Sequence, residues 1–351
     1  MNNANRFFTY LLVFIFGVVI GITGYRLYER IRDSKTDDID TVQQIDRSVP
    51  DAMLIDDSII SVDDKPAHIE EPVLATPTTP EMIEDITVSD TPEQFPFEIH
   101  FFEVGEADAA IVSCDGHYML VDGGYAKSSS LLYSYLHRNG IEYLDYIVCT
   151  HAHEDHVGGL AGALNYAMVG TVYAPVSESD TRAFQSFVKY LGIQGKSITI
   201  PKAGDVFSIG GATVEIVAPI GMALAESNTN NSSIVLRISY GDTSFLLMGD
   251  AEAEEERSIL DAGCNVRSTV LKVGHHGSST STSQDFLKAV SPEYCVISTG
   301  INNSYGHPNE EVLERIDSIG ATIYRTDIDG DIICMSDGKK VEFIVYHYKD
   351  Q

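Results

Sequence analysis

From Phe97 onward, apolar and polar positions alternate in short runs. "FEIHFFEV", "AAIVSC" and "HYMLVD" are short apolar-rich runs with tight connections between them, which predicts three strands. "SSSLLYSYLHRNG" changes period: serines open it, apolar residues recur at helical spacing, and Gly140 stops it. "LDYIVC" is again a strand, running straight into a polar cluster. "TVYAP", "ATVEIVAP", "SIVLRISYGDTSFLLMGD", "STVLKV", "EYCVIST", "ATIYRT" and "DIICMS" predict further strands, and 180–192, 252–262, 283–290 and 309–319 predict helices. Gly241-Asp242 in "SYGDTSF" is a hairpin turn. Strands gathered into sheets with helices outside make a layered α/β domain over residues 96–351.

The chain ahead of this domain has a different pattern. Phe7 to Tyr25 is an uncharged run of 19 residues. As a helix it would measure about 28 Å at roughly 1.5 Å per residue, close to the hydrocarbon thickness of a bilayer. A cleaved signal peptide is the rival reading, but the run is long and no Ala-x-Ala-like site follows. Residues 1–30 are therefore expected to form a membrane anchor, making the protein single-pass. Arg26, Arg30, Arg32 and Lys35 after the span point the domain to the cytoplasm; the architecture of a surface enzyme on an N-terminal anchor points it outside, and the extracellular side is the expectation taken. Residues 31–95 carry 17 Asp and Glu against four Lys and Arg, with six prolines. Self-repulsion and proline predict a disordered acidic linker.

The formal net charge of −29 disfavours a generic basic nucleic-acid-binding surface, although a bound cation can mask the field locally. The five cysteines are odd in number and none is spaced Cys-x-x-Cys, so free thiols are expected.

Chemistry concentrates in Thr150–Gly159, "THAHEDHVGG". Only 11 histidines occur in 351 residues, and three of them lie between 151 and 156. In extended backbone His151 and His153 share a face. Asp155 and His156 form a second pair once the chain turns. Imidazoles and a carboxylate suit zinc and tolerate manganese or iron, and two neighbouring pairs suggest two divalent transition-metal ions. "FLLMGD" ends a strand with Asp250, and "LKVGHHGS" ends another with His275 and His276.

"HAHEDHVGG" resembles the signature of metallo-β-lactamase-fold hydrolases. The ordered set "FFEVGEADAAIV", "MLVDGG", "THAHEDHVGGL", "NNSSIVLRISYGDTSFLLMGD", "LKVGHHGSSTSTS" and "NSYGHPN" resembles the soluble C-terminal domain of the DNA-uptake channel protein ComEC and its stand-alone relatives, over about residues 97–346. Phosphorylcholine esterases of this fold are similar too, less closely. The resemblance implies an αββα sandwich with metals at the seam of two sheets. It implies that His151, His153 and a bridging Asp250 hold one metal. Asp155, His156 and either His275 or His276 would hold the other, and Asp122 would orient the histidine loop. Two departures stand out. "EVGEADA" replaces the usual "DVGQGDA", and Asn230-Asn231-Ser232 stands where many members have a further histidine.

The expected activity is metal-dependent hydrolysis of a phosphodiester, with DNA weighed first. Asp155 would steer the nucleophilic water, and His307 in "YGHP" is a proton donor or phosphate contact, or else a turn histidine. Asn231 and Ser278 are candidate substrate contacts; Ser278 lies in "SSTSTS", which equally suits a helix cap. The alternatives are an envelope phosphoesterase acting on a small headgroup such as phosphorylcholine, and a metal-bearing module in DNA uptake without turnover.

Overall fold

The computed structural model describes residues 95–221 and 228–346. The expected anchor at 7–25 and the linker at 31–94 lie outside the described residues. Among the described residues, no helix is long and apolar enough to cross a membrane.

Two sheets form the centre. The first has eight strands, in spatial order Val341–Tyr346, Asp331–Ser336, Phe97–Phe101, Ala110–Cys114, His117–Val121, Tyr143–Val148, Met168–Tyr173 and Ile198–Thr199. The second has seven, in the order Thr322–Arg325, Tyr294–Ile297, Val270–Lys272, Thr243–Leu247, Val235–Tyr240, Ala212–Ala218 and Val206–Ile209. In each, an antiparallel part adjoins a parallel part that runs from His117–Val121 in the first sheet and from Thr243–Leu247 in the second.

Strand periodicity assigns each side chain to a layer. Along Ala110–Cys114, Ala110, Val112 and Cys114 join the core between the sheets, while Ile111 joins the core under the helices. Phe97, Ile99, Phe101, Met119 and Phe245 fill the space between the sheets. Leu132, Leu136, Leu160, Phe184 and Phe187 cover the outer face of the first sheet; Ile259, Phe286, Leu287, Val312 and Ile316 cover that of the second. Helix, sheet, sheet, helix is the four-layer sandwich expected. Burying each large apolar side chain stabilises it by about 1.5–3 kcal/mol, so the layers are fixed by many such residues rather than by any one. All five cysteines are free thiols.

The helices at Arg182–Ile193, Ala253–Asp261, Gln284–Val290 and Glu310–Asp317 lie within about a turn of their predicted bounds. Gly241, at φ 57°, makes the hairpin turn between Tyr240 and Thr243. Three strands escape the pattern reading, the first of them the two-residue Ile198–Thr199. Val206–Ile209 is only four residues long, and Val341–Tyr346 is an edge strand with no fully buried side chain.

Candidate metal centre

Five strand ends deliver the polar side chains to one place. Val121 is followed by Asp122, Val148 by Thr150 and His151, Leu247 by Asp250, Lys272 by His275 and His276, and Ile297 by the loop that reaches His307. The carboxyl ends of strands are where open α/β sheets leave room for ligands. Three non-glycine residues at these ends are left-handed: Asp122 at φ 58°, His275 at 49° and His276 at 53°. Such a conformation costs on the order of 1–3 kcal/mol and clusters at functional sites. Aspartate and histidine are among the types that adopt it most readily. The GHHG loop is pinned by His275 N donating to Gly249 O (3.1 Å) and Ser278 N to His275 O (2.7 Å).

The histidine loop is docked with similar closeness. His156 N and Val157 N donate to His153 O, which starts the one-turn helix Glu154–Val157. Gly123 N donates to His156 O (2.7 Å), and Gly159 N to Gly124 O (3.0 Å). A Cβ on Gly159 would overlap the Gly123 carbonyl oxygen, so this helix can reach the Asp122 loop only without a side chain there.

Two ligand sets converge on Asp250. Asp155, His156, Asp250 and His276 bring one donor atom each within 4.8 Å of one another, and so do His151, His153 and Asp250. The two carboxylate oxygens of Asp250 divide between them. Oδ1 lies 3.3 Å from His156 Nε2 and 3.7 Å from His276 Nε2. Oδ2 lies 3.7 Å from His151 Nε2. His276 Nε2 is also 3.6 Å from Asp155 Oδ2, and His151 Nε2 is 3.0 Å from His153 Nδ1. Ligands held at about 2.0–2.1 Å in a tetrahedron stand roughly 3.3–3.4 Å apart, so this spacing fits a divalent ion with little adjustment. His156 Nε2, His276 Nε2 and Asp250 Oδ1 are buried without a hydrogen-bond partner. Buried polar atoms are rarely left so, and a cation would satisfy all three. The residues therefore fit the metals that the pattern implies.

Partners behind the ligands fix their tautomers. Asp122 Oδ2 is 2.8 Å from His156 Nδ1 and also accepts from Thr150 Oγ1 (2.7 Å), while Oδ1 accepts from Thr150 N (2.8 Å). The Ser298 carbonyl is 2.9 Å from His276 Nδ1. Carboxylate and carbonyl oxygens accept, so each Nδ1 carries a proton and each Nε2 faces the centre, where a metal would take the place of its second proton. Asp108 and Lys272 stand behind His276. Lys272 Nζ donates to Asp108 Oδ2 (2.9 Å) and to Val273 O (3.0 Å), and Asp108 Oδ1 lies 3.4 Å from His276 Nδ1. A third acidic group, Asp108, Asp122 and His156, is made of these supports rather than of open donors.

Burial disfavours charge on every group here, and the neighbours decide the balance. Burial, with His156 nearby, drives His151 well below its ordinary pKa and keeps it neutral. Burial also opposes ionisation of Asp250, but His156 and His276 hold its carboxyl well below the usual range. His276 is pushed up to about 10: burial acts the other way and is outweighed by Asp250 and Asp108. His156 likewise rises well above its ordinary value because Asp250 and Asp122 overcome its burial.

A cavity of about 380 Å³ opens over the centre, walled by His153, Asp155, Asp250, His275, His276, Glu106, Tyr125, Glu154, Asn230, Tyr305 and His307. Of the two histidines left open by the sequence, His276 joins Asp155 and His156. His275 lies outside that set; its Nε2 is 3.8 Å from Asp250 Oδ2, and its Nδ1 is 3.2 Å from both Glu252 Oε1 and Thr280 Oγ1. His307 Nδ1 is 2.7 Å from Glu106 Oε1, while Glu106 Oε2 accepts from Thr299 Oγ1 (2.8 Å) and Gly300 N (3.0 Å). Asn231 is fully buried, its side-chain oxygen taking Glu252 N (3.0 Å), and the cavity wall belongs instead to Asn230. Ser278 Oγ pairs with Thr280 Oγ1 (3.0 Å) and does not line the cavity. The sequence reading passed over Glu106, Asp108, Lys272 and Tyr125. A lysine inside the apolar run "TVLKV", and an aspartate just before another, were the available signal for a buried pair.

Residues 104–300 match the Metallo-beta-lactamase superfamily, and the chain belongs to that superfamily. Within it, the chain is 31% identical over 271 residues to ComE operon protein 3 of Bacillus subtilis (strain 168), covering 71% of this chain and 34% of that protein. It is 32% identical over 248 residues to Competence protein ComA of Neisseria gonorrhoeae, covering 69% of this chain and 33% of that one. The chain thus spans about a third of the length of the curated relatives it matches. Among solved structures, CmlA, a diiron beta-hydroxylase from Streptomyces venezuelae, aligns with a TM-score of 0.45 at 15% identity, over 67% of this chain and 53% of that one.

Proposed function

We propose that this domain is a dinuclear metal-dependent phosphodiesterase, tethered to a membrane through residues 7–25. The observation that carries the reading is Asp250: one oxygen faces His156 and His276, the other faces His151. A carboxylate shared in this way suits two ions side by side, zinc first and manganese second. His151, His153 and Asp250 would hold one; Asp155, His156, His276 and Asp250 would hold the other. Two divalent ions there supply a water of lowered pKa and a clamp for oxygens that gain charge during displacement at phosphorus.

The remaining work falls to side chains of the cavity. Asp155 has one face toward His276 and another toward the cavity, so it can orient the attacking water. His307 donates Nδ1–H to Glu106 and lines the cavity; only as the imidazolium would its Nε2–H also donate to a phosphate or a leaving oxygen. One relative is named Competence protein ComA, and DNA is the phosphodiester placed first on that account.

The test pairs metal analysis of the purified full chain with hydrolysis of bis(p-nitrophenyl) phosphate, p-nitrophenyl phosphorylcholine, single-stranded DNA and double-stranded DNA. Two ions per chain with chelator-sensitive hydrolysis is the expected result. Hydrolysis confined to phosphorylcholine esters would move the substrate to a small headgroup. Bound metal with no turnover on any ester would make the domain a non-catalytic module.

A further inference from the structure

The cavity over the metal centre adjoins a second, larger cleft. Tyr125 and Glu154 belong to the walls of both. This cleft has a volume of about 590 Å³ and runs along the start of the helix Arg182–Ile193. Small residues line much of it, among them Gly158, Ala161 and Ala183. Lys127 and Arg182 are exposed on its rim, and among the described residues neither forms an ion pair. Lys127 Nζ lies 5.6 Å from the centre of the Tyr125 ring. Residues 96–351 hold 34 acidic side chains against 16 basic ones. The cleft reverses that balance, with two cations and the single carboxylate of Glu154.

We propose that this cleft binds the strand flanking the scissile bond of a single-stranded oligonucleotide, with a base against Tyr125 and the next phosphate at Lys127 and Arg182. The proposal rests on the phosphodiesterase reading for its scissile bond but on separate residues for its binding. Clefts of about 300–1,000 Å³ enclose drug-sized ligands, a volume that suits a nucleotide or two of an unpaired strand and not the body of a duplex. Base–aromatic stacking contributes about 1–3 kcal/mol per base and tolerates any sequence, because every base has a π face. Glu154 gives the strand its direction. Its carboxylate repels phosphate at the junction, so the uncharged base belongs there and the phosphate belongs on the cationic side.

The experiment uses the full chain, fluorescein-labelled oligo-dT of eight nucleotides, its duplex with oligo-dA, and bis(p-nitrophenyl) phosphate. For Lys127→Glu/Arg182→Glu, the ratio of kcat/KM on the oligonucleotide to that on the small ester should fall at least about tenfold, with KM carrying the loss. Fluorescence anisotropy should show weaker oligo-dT binding and a plot of log affinity against log salt flatter by about 1.4, from two phosphate contacts at roughly 0.7 each. Glu154→Gln should bind oligo-dT more tightly. An unchanged ratio and salt slope in the double variant would overturn the cleft assignment. So would weaker binding by Glu154→Gln, which would mark a neutral or cationic ligand, or tighter binding of the duplex than of the single strand. If the wild type hydrolyses neither substrate, the phosphodiesterase reading falls; anisotropy then still decides the cleft, supported by loss of binding in the double variant and refuted by equal binding.

Discussion

Asp250 is the residue on which both ligand sets depend, and it separates shared from private roles. Asp250→Ala should lower metal content from two ions per chain toward none, whereas His276→Ala should remove one; mass spectrometry of metal-loaded protein after gel filtration measures both. Protonation of the same residues predicts opposite pH trends with and without metal. His276 rises from an ordinary 6.5 to about 10 in the metal-free fold. A histidine with a raised folded pKa contributes stability that is complete below its unfolded value and lost as pH climbs through the folded one. Chelated protein should therefore melt at lower temperature at pH 9 than at pH 7. Metal must displace the protons on His156 and His276, so metal affinity should rise over that range with proton release, measurable by calorimetry in buffers of different ionisation enthalpy. Equal melting of chelated protein at both pH values would refute the assigned protonation. Much of this site was legible as residues. His-x-His-x-Asp-His names its own chemistry, and Asp250 and the paired histidines stand at strand ends. The choice between His275 and His276 was not legible, because the left-handed backbone at both positions, which no pattern encodes, sets where each ring goes.

At the scale of elements, strand ends set the site and a buried ion pair ties the sheets beneath it. Asp108 precedes the first-sheet strand Ala110–Cys114, and Lys272 closes the second-sheet strand Val270–Lys272. Both are buried, and burial would neutralise Asp108 if Lys272 and His276 did not hold its carboxyl well below the usual range. Removing one partner of such a pair leaves an uncompensated charge, at a cost of about 3–5 kcal/mol. Lys272→Met should lower stability by about that much in urea denaturation, and Asp108→Asn/Lys272→Met should recover a large part of it. A loss below about 1 kcal/mol for the single variant would mean that the pair is solvated. Alternation and helical spacing gave the interior strands and the main helices because each buries one face. They did not give Ile198–Thr199 or Val206–Ile209, which are too short to show a period, or the edge strand Val341–Tyr346, where Val341, Phe343 and Val345 pack on the core but the exposed Ile344 and Tyr346 are apolar too. Nor could they pair Asp108 with Lys272, which lie 164 positions apart and meet only once the two sheets are packed.

For the whole molecule, the distribution of charge bears on where the domain works. The formal charge is −29, and the 17 acidic residues between 31 and 95 sit next to the apolar run 7–25. An acidic domain is repelled by anionic headgroups, so charge alone would not hold it on a bilayer. The full chain should therefore sediment with membranes, while a chain lacking residues 1–30 should stay in the supernatant at physiological salt and at 1 M salt alike. Loss of membrane association at 1 M salt by the full chain would mean electrostatic adhesion and not a spanning segment. Protease added to intact cells should degrade the domain if it faces outward; protection that disappears only on lysis would place it in the cytoplasm, the side favoured by Arg26, Arg30, Arg32 and Lys35.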